Sequence, residues 1–190
     1  MNIVGLLLAA GSAKRFGSDK LRHALPHGVP IAVQAARHLR AELPRVLAVV
    51  RSRDAEQTFR AERCEPVLCE NADDGMGASL ACAARAAGKA DAYIVALADM
   101  PFVRPTTIAA VREALERGAL LAAPYFRARR GHPVGIAGRY YEQLIALGGD
   151  EGARHLLSTN EAELVKIPVG DPGVIRDIDR PEDLVPPIRT

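Results

Sequence analysis

The sequence lacks a long apolar segment and an excess of charge of one sign, and both absences exclude classes of protein. No apolar run approaches the roughly 18 residues that a membrane-spanning helix needs. The 190 residues carry 25 lysines and arginines against 23 aspartates and glutamates, for a net charge of +2. Because the two signs are interleaved along the chain, this balance argues against a nucleic-acid groove. We expect neither a membrane nor a nucleic acid among the partners.

The cysteines and histidines form no metal-binding pattern. Cys64, Cys69 and Cys82 are odd in number and lack C-x-x-C spacing, so neither a disulfide framework nor a zinc site is indicated. We interpret them as reduced structural thiols. The five histidines are scattered, without an H-E-x-x-H motif. The apolar N-terminus lacks a basic region and a small-residue cleavage site, so we expect a cytoplasmic protein.

Two familiar phosphate-binding loops are also missing. A Walker A loop requires a glycine, four residues and then Gly-Lys, whereas five residues separate Gly11 from Gly17 and Lys20 follows later. The dinucleotide fingerprint G-x-G-x-x-G is absent after the first apolar run, and its nearest echo at Gly75 and Gly77 lacks the third glycine. Any phosphate-binding loop here belongs to another type.

The opening stretch, NIVGLLLAAGSAKRFGSDK at residues 2–20, nevertheless has the composition of a polyphosphate cradle. Its aliphatic run predicts a strand buried on both faces of a parallel sheet. The glycines allow close approach of the backbone to a ligand, and Lys14, Arg15 and Lys20 add positive charge. The alternative is a glycine-rich surface turn with solvated cations.

The order of apolar segments predicts the fold class. Helical spacing at residues 31–43 is followed by an aliphatic strand at 46–50, a charged helix at 54–62 and a short strand at 65–68. This alternation is typical of a parallel sheet with right-handed crossovers and helices on both faces. At 48% hydrophobic and 25% charged residues, we expect one globular α/β domain.

Asp99 follows the clearest later strand, residues 93–98. Ligands of such sheets bind beyond the carboxyl ends of the strands, so Asp99 should face whatever the first loop holds. A carboxylate beside a triphosphate requires an intervening cation, and hard oxygen ligands suit Mg²⁺. The alternative is an aspartate that caps the helix beginning near Pro105.

A second carboxylate for such a metal site lies near the C-terminus. In an extended chain, Asp177 and Asp179 point to the same side, and we take Asp179 as the partner of Asp99. The alternative is that Asp179 and Arg180 lead into a helix opened by Pro181.

The segment LLAAGSAKRFGSDK is similar to the L-A-A-G-x-S-x-R-F-G-x-x-K loop of MobA-like nucleotidyltransferases, especially the molybdenum cofactor cytidylyltransferases. The segments GMGASL, LADMP, GHPV, GDEGAR and DIDRPEDL resemble further family motifs in the same order. The resemblance implies a three-layer, Rossmann-like, mostly parallel sheet of the nucleotide-diphospho-sugar transferase type, with a small β-hairpin and helical acceptor-binding part. Within one domain at residues 1–190, residues 1–124 would bind the nucleotide and residues 125–175 the acceptor.

The resemblance also implies roles for individual residues. The catalytic residues would be Arg15, Lys20 and Asp99. The nucleotide would be bound by Leu8, Ala9, Ala10, Gly11, Ser12, Arg15, Lys20, Gly75 and Ser79. The acceptor would be bound by His132, Gly149, Asp150 and Gly152, and the metal by Asp99 and Asp179. Local chemistry leaves alternatives open: a helix cap at Gly75–Ser79, a solvated turn at Arg127–Arg130 and a capping role for Asp150. Arg180 stands where the family commonly has threonine.

The activity implied by the resemblance is transfer of a nucleoside monophosphate from a triphosphate to a phosphorylated acceptor, with release of pyrophosphate. The Ala9-Ala10-Gly11 version of the motif favours CTP, and the subfamily implies a phosphorylated pterin, Mg²⁺ and a molybdenum enzyme as recipient. The alternatives are a guanylyl- or sugar-phosphate nucleotidyltransferase of the same fold, or a non-catalytic nucleotide-binding chaperone for a molybdenum enzyme.

Overall fold

A computed structural model describes residues 1–11, 20–150 and 152–184. Within these residues the strands are β1 Ile3–Leu8, β2 Arg45–Val50, β3 Glu65–Leu68, β4 Ala92–Leu97, β5 Leu121–Phe126, β6 Arg129–Arg130, β7 Val134–Ala137 and β8 Leu164–Pro168. The α-helices are α1 Ile31–Glu42, α2 Arg53–Ala61, α3 Met76–Ala87, α4 Pro105–Glu116, α5 Tyr141–Ile145 and α6 Arg154–Thr159. Short 3₁₀ turns lie at Lys20–Arg22, Ala72–Asp74, Gly138–Tyr140, Glu161–Glu163, Pro172–Ile175 and Pro181–Leu184.

The strands of the described chain form one mostly parallel sheet in the order β3-β2-β1-β4-β7-β5-β6, with β8 paired to β5. The neighbours β3, β2, β1 and β4 all run parallel, as the alternation of strands and helices predicts. The antiparallel strand β7 separates β4 from β5, so β5 runs in the same direction as β4. The predicted α/β class and mostly parallel sheet are confirmed.

The first strand is central because both of its faces are buried. Leu7 packs into the core beneath α1, α2 and α4, and Leu6 packs into the core beneath α3, α5 and α6. Gly5 stands where a β-carbon would come within 3.1 Å of Leu39 and even closer to Leu43. The missing side chain therefore lets α1 pack closely on the strand.

Two prolines set the starts of helices on one face of the sheet. Pro30 occupies the N-cap position of α1, and Pro105 is the first residue of α4. No helix in the described ranges is both long and apolar enough to cross a bilayer.

The small β-hairpin that the resemblance implies is part of the sheet itself. Strand β5 runs to Phe126, and β6 pairs with its end. The chain then returns as β7, which lies between β4 and β5 and hydrogen-bonds to both. The division at about residue 124 remains a prediction about function, because strands from both parts share the same sheet.

The segment after β8 returns to the edge of the sheet where β4 ends, and Asp171 holds it there. This buried carboxylate accepts hydrogen bonds from the backbone N–H of Arg104 (2.9 Å), the hydroxyl of Thr107 (2.7 Å) and the N–H of Gly173 (3.0 Å). Asp171 therefore supplies a hydrogen-bond acceptor at the start of α4. This is the capping role that the sequence left open for Asp99. Farther along, the N–H of Ile178 donates to the carbonyl of Asp99 at 2.9 Å.

We expect Asp171→Ala to lower the free energy of unfolding by about 3 kcal/mol, because it leaves several buried donors without an acceptor. Urea unfolding measures this loss. Thr107→Val removes a single donor and should cost about 1 kcal/mol. A loss below about 0.5 kcal/mol for Asp171→Ala would contradict the anchoring role.

Candidate active site

The loops that follow the parallel strands gather at the carboxyl edge of the sheet. The turn after β1 contains Ala10 and Gly11, Arg51 follows β2, and the 3₁₀ turn Ala72–Asp74 follows β3. Asp99 lies just beyond β4. This edge is where ligands bind to open α/β sheets.

A cavity of about 560 Å³ opens at this edge. This volume lies within the usual range of about 300–1,000 Å³ for small-molecule sites. Its lining among the described residues is Leu8, Ala10, Gly11, Arg51, Ala72, Asp73, Gly75, Met76, Ser79, Leu97, Asp99 and Asp150. The cavity thus unites residues predicted for nucleotide, metal and acceptor.

Some predicted residues are not part of this lining. Ala9 packs into the core beneath α1, and its N–H donates to the carbonyl of Val49 at 3.0 Å. Ser12 and Arg15 lie outside the described residues, so their predicted roles stay predictions.

Lys20 joins three separate parts of the chain through its ammonium group. Nζ donates to Asp99 Oδ2 at 3.0 Å, to Asp179 Oδ1 at 3.1 Å and to the carbonyl of Ile178 at 2.8 Å. Burial alone would lower the pKa of Lys20, but the carboxylates of Asp99 and Asp179 raise it above its ordinary value. Lys20 is therefore charged at neutral pH and neutralises part of the acidic site.

The acidic side of this site consists of Asp99, Asp177 and Asp179, each with one carboxylate oxygen within 4.8 Å of the others. The sequence-based expectation that Asp177 and Asp179 share a side agrees with this grouping. Desolvation chiefly raises the pKa of Asp177, and the charges of Asp179 and Asp99 add to the shift. Grouped carboxylates supply the hard oxygen donors that Mg²⁺ and Mn²⁺ prefer, and the ammonium of Lys20 already lies among them as a cation. The donor set therefore fits a divalent ion.

The side chain of Asp183 holds the backbone at Asp179 in place. Asp183 accepts hydrogen bonds from the N–H of Asp179 at 3.1 Å and the N–H of Arg180 at 2.9 Å, within the turn that Pro181 opens. Asp179 therefore leads into a helical turn, which was one expectation from the sequence. Its carboxylate also lies near that of Asp99, which was the other. The side chain of Asp179 is 45% exposed and that of Asp99 25%, so a ligand entering from solvent can reach them.

The glycine-rich loop predicted to bind the acceptor packs against the start of α3. The N–H of Gly77 donates to the carbonyl of Gly149 at 2.7 Å. Gly75 has a φ of +118°, and a β-carbon there would lie 2.4 Å from Asp150 Oδ1. Only glycine allows this contact. Met76 lies beside Gly152, so the predicted nucleotide and acceptor segments adjoin.

His132 lies apart from that loop. It lines a separate space of about 10 Å³ together with His38 of α1 and Met100. This space is about large enough for one water molecule. The Nδ1 atom of His132 is buried and has no hydrogen-bond partner among the described residues. Burial lowers the pKa of His132 to about 4, so the ring is neutral near pH 7 and contributes no positive charge to an acceptor phosphate.

Sequence reasoning missed Arg51 and Asp73. Arg51 donates to the carbonyl of Ala10 through Nε at 3.1 Å and Nη2 at 2.8 Å, and its Nη1 lies 2.8 Å from Asp73 Oδ1. The available signal was position, because each residue follows a predicted parallel strand at the ligand-binding edge.

Comparison with curated proteins finds relatives that match over most of their length. The chain is 26% identical to the purine catabolism protein PucB of Bacillus subtilis, over 95% of this chain and 93% of the relative. It is 28% identical to the nicotine blue oxidoreductase of Paenarthrobacter nicotinovorans, over 96% and 94%. The names of these relatives differ, so they do not by themselves identify a substrate.

Solved structures with the same fold include Rv0371c of Mycobacterium tuberculosis, at 23% identity, 96% and 94% coverage and a TM-score of 0.78. A manganese complex of Rv0371c matches at 22% identity, 96% coverage of both chains and a TM-score of 0.77. The molybdopterin-guanine dinucleotide biosynthesis protein A of Archaeoglobus fulgidus matches at 20% identity, 95% and 94% coverage and a TM-score of 0.67. At these identities the likeness concerns the fold.

The family model described as the MobA-like NTP transferase domain matches residues 5–164. This range includes the loop after β1, the start of α3, Asp99 and the glycine-rich loop at residues 148–152. The match covers most of the chain, and the fold and the arrangement of the carboxyl edge agree with it. The chain therefore belongs to the MobA-like NTP transferase family.

Proposed function

We propose that this nucleotidyltransferase transfers a nucleoside monophosphate, from CTP, to a phosphorylated pterin acceptor, with release of pyrophosphate. The observation that carries the proposal is that Lys20 pairs with both Asp99 and Asp179, and that Asp99 lines the 560 Å³ cavity. With a divalent cation bound to the carboxylates, this site suits a ligand that has several negative charges at one end and an uncharged ring at the other.

The chemistry needs positioning and charge balance more than proton removal. An acceptor phosphate monoester is already anionic at neutral pH, so its oxygen can attack the α-phosphorus without a general base. This agrees with a cavity lining that contains neither histidine nor cysteine among the described residues. Lys20 supplies a buried positive charge that can stabilise the leaving pyrophosphate.

Asp99 and Asp179 are the residues that would hold a divalent cation, with Asp177 close enough to support them. A bound Mg²⁺ would supply charge neutralisation on the phosphate oxygens. The manganese complex of a protein with this fold supports the choice of a divalent ion. The family match supports a triphosphate as its companion.

The acceptor is proposed to enter between the glycine-rich loop and the acidic site. Gly149 and Asp150 border the cavity side of α3, and β5 ends at the same edge with three exposed arginines beyond it, Arg127, Arg129 and Arg130. These cations can attract an anionic acceptor. The pterin itself is supported by the sequence resemblance and by the name of the Archaeoglobus protein with this fold.

The first test is pyrophosphate release from CTP, GTP, ATP and UTP, with Mg²⁺, in the presence and absence of a pterin monophosphate. We expect release that depends on the pterin and is fastest with CTP, because transfer to the acceptor displaces pyrophosphate. If the acceptor stimulates pyrophosphate release from GTP alone, the activity is guanylyl transfer and not cytidylyl transfer. Nucleotide binding without release under any condition would contradict an enzyme and favour a nucleotide-binding chaperone.

The second test concerns the metal ligands, with Mn²⁺ as the probe. Asp99→Asn and Asp179→Asn should each weaken Mn²⁺ binding, measured by electron paramagnetic resonance, by about tenfold or more because each removes an anionic oxygen ligand. Lys20→Met should strengthen Mn²⁺ binding, since it removes a cation that shares the same carboxylates.

The control is Asp54→Asn, which changes an exposed carboxylate in the first turn of α2. It should bind Mn²⁺ like the unaltered protein. If Asp99→Asn also binds Mn²⁺ normally while remaining folded, the metal assignment is wrong.

A further inference from the structure

Arg51 connects the loops that follow three neighbouring strands. It comes directly after β2, donates two hydrogen bonds to the carbonyl of Ala10 after β1, and pairs with Asp73 after β3. A planar guanidinium holds such an arrangement in a fixed orientation, which a lysine ammonium cannot do.

Arg51 lies away from the part of the cavity that we propose for the phosphates. In the order β2-β1-β4, Arg51 and Asp99 follow the two strands on either side of β1. Two strand spacings separate these strands, a distance of about 10 Å. If Lys20, Asp99 and Asp179 serve the phosphates, Arg51 and Asp73 lie towards the base.

The two hydrogen bonds occupy the acceptor capacity of the Ala10 carbonyl, which has two lone pairs. They also fix the plane of the peptide between Ala10 and Gly11. In a trans peptide the N–H points opposite to the C=O, so the N–H of Gly11 is directed away from Arg51. With Arg51 in place, this peptide offers a ligand a donor and not an acceptor.

We propose that Arg51 is a positioning residue that sets base selectivity by withholding the Ala10 carbonyl from the nucleotide; this rests on the proposed nucleotidyl transfer. Cytosine and uracil differ at two adjacent ring positions: cytosine has an amino donor beside an acceptor nitrogen, and uracil has a carbonyl acceptor beside an N–H donor. A free Ala10 carbonyl that faces the exocyclic group would accept from the amino group of cytosine and would repel the carbonyl oxygen of uracil. Loss of Arg51 therefore changes the preference between these two bases.

The test uses Arg51→Met, which keeps an unbranched side chain as far as the position of Nε and removes every donor. Calorimetric titration with CTP and UTP in the presence of Mg²⁺ should show binding weakened by about tenfold, the typical effect of losing charge-assisted hydrogen bonds that order a site. The ratio of CTP to UTP affinity should shift towards CTP by about fivefold or more. In turnover, KM should rise while kcat stays within about threefold, since the phosphate end is intact.

Arg51→Lys should restore part of the affinity, because an ammonium can satisfy the carbonyl with a single hydrogen bond. The matched control is Arg53→Met, which alters an exposed arginine at the start of α2 outside the cavity lining and should leave both affinities unchanged. A purely structural role would lower the affinity for both nucleotides equally and leave the ratio unchanged, which would overturn the proposal.

The outcomes separate this proposal from nucleotidyl transfer itself. An unchanged CTP to UTP ratio in Arg51→Met, with normal pyrophosphate release by the unaltered protein, overturns the role of Arg51 alone. A changed ratio without pyrophosphate release supports Arg51 and overturns the transfer. Absence of nucleotide binding by the unaltered protein overturns both.

Discussion

The ion pairs of Lys20 with Asp99 and Asp179 are the interaction on which the site depends. Lys20 is 79 residues from Asp99 and 159 residues from Asp179 in sequence, yet one ammonium bonds to both carboxylates. Removing a charge from water is costly unless opposite charges and hydrogen bonds compensate it. The buried lysine therefore requires the carboxylates, and the sheet must bring their three segments to one edge.

The closing segment divides its four aspartates between structure and chemistry. Asp171 and Asp183 accept hydrogen bonds from backbone N–H groups and so hold the segment in place. Asp177 and Asp179, which lie between these anchors, bring their carboxylates to Asp99. The anchoring aspartates thus accept from backbone N–H groups, whereas Asp179 accepts from the ammonium of Lys20 and belongs to the group of carboxylates that suits a cation.

The parts predicted from the sequence are those with a periodic or local signal. The buried run of β1 and the strand before Asp99 predicted the parallel sheet, and their carboxyl ends predicted the edge that carries the site. The insertion of β7 between β4 and β5 could not be predicted in this way, because pairing between distant strands has no local signature. For the same reason, the hydrogen-bonding role of Asp171 and the burial of His132 became apparent only from the packed chain.

The network around Arg51 changes how the Ala9-Ala10-Gly11 motif can be interpreted. From the sequence, the tripeptide alone favoured cytosine. In the folded chain Ala9 faces the core, and the carbonyl of Ala10 already accepts two hydrogen bonds from Arg51. The groups that a base can meet therefore depend on residues after β2 and β3 as well as on the motif. Two chains with the same tripeptide but different residues at these positions would present different donors and acceptors to the same base.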